Sequence, residues 1–151
     1  MKSATRYLID TNVLLRLTNP VVEQHPLCQS AVSQLRSQGC LLYYTLQNAA
    51  EFWNVSTRPV ERNGHGLSPA VASLALSDLE IFMTLLPDTA QVYDAWRELL
   101  SNHDVRGVQV HDAKLAAAML AHGVSHILTF NGADFARYPR IEAVHPSYVR
   151  S

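Results

Sequence analysis

Short apolar runs alternate with longer segments of helical spacing along the chain. Tyr7-Leu8-Ile9 is the first run and stops at Asp10, which reads as a buried strand closed by a carboxylate. Val13-Leu14-Leu15-Arg16-Leu17 begins a helix that stops near Asn19-Pro20. Leu27, Ala31, Val32 and Leu35 recur near helical spacing, so His25 to Gln38 is predicted to be an amphipathic helix ended by Gly39. Leu41-Leu42-Tyr43-Tyr44 is a second strand, and Thr45 caps a helix running to about Arg58, before Pro59. Pro59 to Leu67, with Asn63-Gly64-His65-Gly66, is the least regular stretch and is expected to form a mobile loop. Ser68 caps the next helix, with Pro69 at its first position and an end near Ile81. Beyond it the pattern predicts a strand within Phe82 to Leu86 and a helix over Thr89 to His103. A further helix covers Val110 to His122 and is stopped by Gly123. His126 to Thr129 is a strand, Asn131-Gly132-Ala133-Asp134 a turn, and Ile141 to His145 a last, edge strand.

Strands that alternate with helices predict an α/β fold, in which a mainly parallel central sheet is flanked by helices as an α/β/α sandwich. A single domain over residues 1–151 is expected, since that length fits one compact core. In sheets of this kind the site lies beyond the carboxyl ends of the strands. Asp10 ends the first strand, Asn131 and Asp134 follow a later one, Asp112 opens a helix, and Glu51 lies early in another. These positions are predicted to converge at one edge of the sheet.

Composition narrows the chemistry. Hydrophobic residues make up 48% of the chain, too many for disorder. A formal net charge of -1 gives no global field that would draw nucleic acid, so such a role needs a local site, a metal or a partner. Cys28 and Cys40 form neither a disulfide framework nor a CxxC zinc pair, and reduced thiols in a cytoplasmic protein are expected. Asp10 interrupts the first apolar run too early for a signal peptide, and no run is long enough to span a bilayer. The histidines include no HExxH pair.

Each acid has an ordinary explanation when taken alone. Asp10 suits a helix N-cap, a job Asn12 could share. Glu51 lies among small and aromatic residues and looks buried, with Gln47 and Asn54 on its face; a salt bridge to Arg58 would satisfy it. Asp112 sits in a first helical turn, where the dipole favours acid, before an Ala-rich run that permits close helix packing. Asp134 fits its Gly-containing turn. Together they are harder to explain, because carboxylates gathered at one sheet edge repel one another unless a cation lies between them. Hard oxygen ligands that leave water on the ion suit Mg²⁺ or Mn²⁺.

Leu8-Ile9-Asp10-Thr11-Asn12, Gln47-Asn48-Ala49-Ala50-Glu51-Phe52, His111-Asp112-Ala113 and Thr129-Phe130-Asn131-Gly132-Ala133-Asp134-Phe135 resemble, in this order, the motifs of the PIN-domain family. In size the chain resembles the stand-alone VapC-type toxins of bacterial toxin–antitoxin pairs. The resemblance covers nearly the whole chain. It implies a parallel sheet flanked by helices, a Mg²⁺ or Mn²⁺ site, endoribonuclease activity on RNA, a homodimer and a small antitoxin that blocks the site. Residues 104–110 are more polar than the family pattern, which bears on the local loop shape and not on the acids.

On this reading Asp10 and Asp112 hold the principal metal, and Glu51 and Asp134 bind directly, through water, or at a second metal. Metal-activated water would then open the phosphodiester to a 3′-hydroxyl and a 5′-phosphate. Thr11, Thr129 and Asn131 are candidates to orient carboxylates or water, and Arg106 and Lys114 are candidate phosphate contacts. The alternatives are a PIN-like RNA-binding module without catalysis, and a haloacid-dehalogenase-like phosphatase using Asp10 as nucleophile. Asn12 counts against the phosphatase, which generally carries a second Asp at that position.

Overall fold

The computed structural model describes residues 3–150. Five strands, β1 (Arg6–Ile9), β2 (Leu41–Thr45), β3 (Thr84–Leu86), β4 (His126–Leu128) and β5 (Glu142–Val144), form one sheet in the order β3-β2-β1-β4-β5. Every pairing is parallel, so the expected mainly parallel sheet is parallel throughout the described residues. The chain starts at the centre of the sheet and works outward, first to one side and then to the other. β1 is therefore flanked on both edges, with Leu8 opposite Tyr43 of β2 and Ile127 of β4.

A strand in that position is covered on both faces, which is why β1 reads as a continuous apolar run and not as an alternation. Leu8 points into one core with Ile127, Leu86, Val92, Leu99 and the Ala-rich run Ala113, Ala116, Ala117 and Ala118. Tyr7 and Ile9 point into the other, with Val13, Leu14, Val32, Leu35, Phe52 and Leu128. Helices α1 (Thr11–Leu17), α2 (His25–Ser37), α3 (Leu46–Thr57) and α4 (Pro69–Glu80) supply the second core. Helices α5 (Ala90–Asn102) and α6 (Gln109–His122) supply the first. The result is a three-layer α/β/α sandwich, as the sequence pattern predicts. Alanines on the inner side of α6 let it lie close to the sheet, and that closeness carries Asp112 to the carboxyl edge. No helix of the described residues is long and apolar enough to cross a membrane.

Element ends fall within about two residues of the pattern-based expectation, as terminal fraying allows. Gly39 and Gly123 end α2 and α6 with φ of 81° and 69°, where an L side chain is strained. The clearest difference lies between α3 and α4. In place of an irregular loop, Val60–Arg62 forms a 3-10 turn and the chain folds back along the end of α3. Three amides there donate to the last carbonyls of α3: His65 N to Val55 O, Gly66 N to Arg58 O and Leu67 N to Ser56 O, each at 2.9 Å. A Cβ on Gly64 would lie 1.9 Å from the Arg58 carbonyl oxygen, so only glycine fits this return. Gly64 thus serves close backbone approach in a defined return, where the composition suggests an irregular stretch.

Candidate active site

Asp10 follows the last residue of β1, and its amide donates to Leu128 O of β4 at 3.0 Å, which extends the pairing by one residue. The carboxylate is thereby pinned beyond the carboxyl ends of the central strands. It is also the N-cap of α1, with Oδ1 accepting from Thr11 N at 2.7 Å, so the capping explanation is correct as far as it goes. The second oxygen shows more. Thr129 Oγ1, directly after β4, donates to Asp10 Oδ2 at 2.7 Å, and Asn12 Nδ2 lies 3.5 Å from it.

Thr129 has its donor role fixed by its neighbours. Its oxygen receives Asn131 N at 3.0 Å and Asn12 Nδ2 at 3.3 Å, leaving the hydroxyl proton for Asp10. Asn12 is itself anchored by Phe130 N on its Oδ1 at 3.3 Å. Asn131 thus acts through its backbone amide, while its side chain is exposed.

Glu51, on α3 behind β2, is half-buried and not buried as its neighbours suggest, since Ala50 and Asn54 face solvent and α3 buries the Asn48, Phe52 and Ser56 side. Asp10, 9% exposed, is the acid that burial most constrains. Arg58 does not pair with Glu51; its guanidinium instead donates to Asn63 O at 3.1 Å. Glu51 accepts two neutral donors, Thr11 Oγ1 at 2.8 Å on Oε2 and Gln47 Nε2 at 3.0 Å on Oε1. Gln47 also donates to His111 O at 3.1 Å, tying α3 to the first turn of α6 immediately before Asp112.

Asp112 is half-buried in that first turn, and Asp134 is exposed in the 3-10 turn Gly132–Phe135 after β4. Among the described residues neither carboxylate accepts a side-chain or backbone hydrogen bond. The electrostatics show that all four acids share one field. Burial pushes the Asp10 carboxyl up, the hydrogen bonds from Thr129 and Thr11 pull it down, and the charges of Glu51 and Asp134 push it up again. Asp112 is pushed up to about 6, first by burial and then by Asp134, Asp10 and Glu51, with His111 pulling weakly the other way. No ion pair within the described residues engages any of the four. Arg106 and Lys114, the candidate phosphate contacts, pair with Asp104 at 3.0 Å and Asp88 at 3.2 Å.

The donor set is hard oxygen throughout, paired with no lysine or arginine among the described residues, and two members are raised first by burial and then by the neighbouring acids; such a set suits a divalent cation. Among the described residues no group of three or more His, Cys, Asp or Glu side chains is drawn together closely enough to hold a metal ion as they lie. An ion here would keep several waters, as Mg²⁺ does in phosphate chemistry. The site is an open edge of the sheet; the main clefts, such as that lined by Leu99, His103, Tyr138 and Arg140, lie elsewhere. Asn48 and Asn12, which sequence reasoning passed over as site residues, hold the threonines that hold the acids. Only a capping-type Asn after Thr45 and an Asn two residues past Asp10 hinted at them.

A five-stranded parallel α/β/α sandwich with acids at the carboxyl edge of its sheet is the class of protein that the comparisons then specify. The model of the PIN domain matches residues 7–141, and the chain belongs to that family. No curated protein matches the sequence significantly. Among solved structures, the chain is similar to Mycobacterium tuberculosis VapC20, a sarcin-ricin loop cleaving toxin. The TM-score is 0.65 at 22% identity, over 87% of this chain and 95% of that one. VapBC-1 from nontypeable Haemophilus influenzae gives a TM-score of 0.69 at 15% identity, over 95% of this chain and 99% of that one. VapBC2 from Rickettsia felis, bound to a promoter DNA fragment, gives 0.68 at 14% identity, over 93% and 98%. These likenesses establish the fold.

Proposed function

We propose that this PIN-domain protein is a Mg²⁺- or Mn²⁺-dependent endoribonuclease and the toxin of a toxin–antitoxin pair. The observation that carries the reading is the convergence of Asp10, Glu51, Asp112 and Asp134 in one field without a protein cation. The setting supports it, since structures of similar fold are of VapC toxins and toxin–antitoxin complexes, and one cleaves an RNA loop.

Asp10 and Asp112 would hold the ion, with Glu51 and Asp134 binding it directly or through water. When bound, a divalent cation at such a site lowers the pKa of a coordinated water and polarises the scissile phosphate. The chain's own residues do the positioning. Thr129 donates to Asp10 Oδ2 and the Thr11 amide to Oδ1, which together fix the carboxylate's orientation and leave one lone pair on each oxygen for an ion. Thr11 and Gln47 occupy one lone pair on each oxygen of Glu51 and fix its rotamer. Asp112 and Asp134, which accept no hydrogen bond from the described residues, are the acids most available to a ligand. The open edge admits a polymer, which an enclosed pocket would not. A homodimer, an antitoxin covering the acidic edge and a cytoplasmic location complete the reading. Arg106 and Lys114 remain candidate phosphate contacts, each needing to leave its present carboxylate partner.

The test is cleavage of RNA with Mg²⁺, with EDTA, and with Asp10→Asn or Asp112→Asn. Loss of cutting in EDTA and in both variants, with 5′-phosphate products, is expected. Full activity of the Asn variants, or 2′,3′-cyclic phosphate ends, refutes it, the latter because they mark attack by the 2′-hydroxyl.

A further inference from the structure

We infer that Asn48 is a positioning residue for the acidic edge, the fixed end of a one-way hydrogen-bond chain that aims the Thr11 hydroxyl at Glu51. The inference rests on the metal-site reading above and adds a residue to it. Asn48 is fully buried, and its side-chain oxygen accepts twice, from Thr45 N at 2.9 Å and Thr45 Oγ1 at 2.8 Å. Its amide nitrogen lies 3.1 Å from Thr11 Oγ1, and that oxygen lies 2.8 Å from Glu51 Oε2.

The direction of every bond follows from the first. A backbone N–H can only donate, so the atom of Asn48 that faces Thr45 N must be the oxygen. Turning the amide over would set two donors against each other in a buried site. The nitrogen therefore faces Thr11 and donates. With that lone pair occupied, the Thr11 proton is left for Glu51. A peptide group at the end of β2 thus dictates the orientation of a carboxylate on the neighbouring helix.

The capping box of α3 explains only part of this. A cap needs the Asn48 oxygen and amide N–H, both turned toward Thr45. It leaves the side-chain nitrogen unused, and here that nitrogen crosses to a residue 37 positions away in sequence. Two effects of Asn48 are therefore separable, helix capping through its oxygen and carboxylate orientation through its nitrogen.

Isothermal titration with Mn²⁺ at pH 8, on the full chain, separates them. Asn48→Ala and Thr11→Val should each weaken Mn²⁺ binding about 10-fold or more, as loss of outer residues around a metal site does. The double variant should be no weaker than the weaker single one, because both cut the same chain. Asn48→Asp keeps both acceptor contacts and the size, and serves if Asn48→Ala fails to fold. It should melt below wild type, because a carboxylate replaces a neutral amide in a fully buried site, and still bind Mn²⁺ more weakly, although added negative charge alone predicts tighter binding. Unchanged or tighter binding by Asn48→Asp, or losses that multiply in the double variant, overturns the inference while leaving the metal site intact. Wild-type protein that binds no Mn²⁺ overturns the metal site itself and this inference with it.

Discussion

Replacing Asp112 with Asn should stabilise the metal-free protein while destroying its proposed function, and the sign can be worked through from the site. Asp112 titrates near 6 in the fold against an ordinary value of 3.8. An acid whose pKa is raised on folding holds its proton more tightly in the native state, so stability falls as pH climbs from about 3.8 to about 6 and then levels off. At face value the separation corresponds to about 3 kcal/mol at neutral pH. Asp112 is half-exposed, and solvent screening reduces that to roughly 1–2 kcal/mol. The dipole of α6 favours the charged form by about 0.5 kcal/mol, leaving a net penalty of about 1 kcal/mol. The Asn side chain is nearly isosteric, and no recorded hydrogen bond is lost with the carboxylate. Melting in EDTA should therefore put Asp112→Asn about 2–4 °C above wild type at pH 8. The difference should shrink toward nothing at pH 4. Saturating Mg²⁺ should reverse the order, since a ligand that binds only the native wild-type site raises its melting temperature by mass action. A variant less stable than wild type in EDTA, or a difference independent of pH, would show that the acids do not repel one another as described.

Three other outcomes are expected. Thr129→Val removes the proton that Asp10 Oδ2 receives at 2.7 Å, and should cost about 1–3 kcal/mol in urea unfolding. It should also weaken Mn²⁺ binding about 10-fold or more in calorimetry. Gly64→Ala drives a methyl into the Arg58 carbonyl, and chemical denaturation should show a loss of about 1–3 kcal/mol or more. Gly107, also at positive φ but with nothing within 4 Å of the Cβ position, should cost only the roughly 1–2 kcal/mol of backbone strain when replaced by Ala. RNA cutting should fall to background in Asp10→Asn, read by gel against intact circular-dichroism spectra.

The elements were legible because local signals agreed with the global arrangement: caps at Thr45 and Ser68, stops at Gly39 and Gly123, and apolar runs at the buried strands. Asp10, Asp112 and Asp134 stood out because each lies at or within four residues of such a boundary, whereas Glu51, in the second turn of α3, stood out only as an acid among small and aromatic residues. Their burial was misjudged for a definite reason. Small neighbours around Glu51 suggest a buried helix, but Ala49 and Ala50 are equally content near solvent, and the buried polar residues of α3 are Asn48 and Ser56. The supporting contacts were out of reach of sequence reasoning. Thr129 meets Asp10 across 119 positions and Asn48 meets Thr11 across 37, and nothing local distinguishes a threonine that orients an acid from one that merely ends a strand. The return after α3 was misread because glycine serves equally for looseness and for tight approach.

The inside-out order of the sheet has a consequence in time. Synthesis delivers β1 with Asp10 first and β4 with Thr129 near the end, yet Asp10 N is bonded to Leu128 O. For most of its birth the chain carries Asp10 beside β2 alone, without the β4 carbonyl that holds its amide, without Thr129 to orient it and without Asp134. The acidic edge comes into being only when a late strand slots beside the earliest one, a non-local pairing of the slow kind. Incomplete copies of this chain thus lack the assembled acidic edge by topology alone.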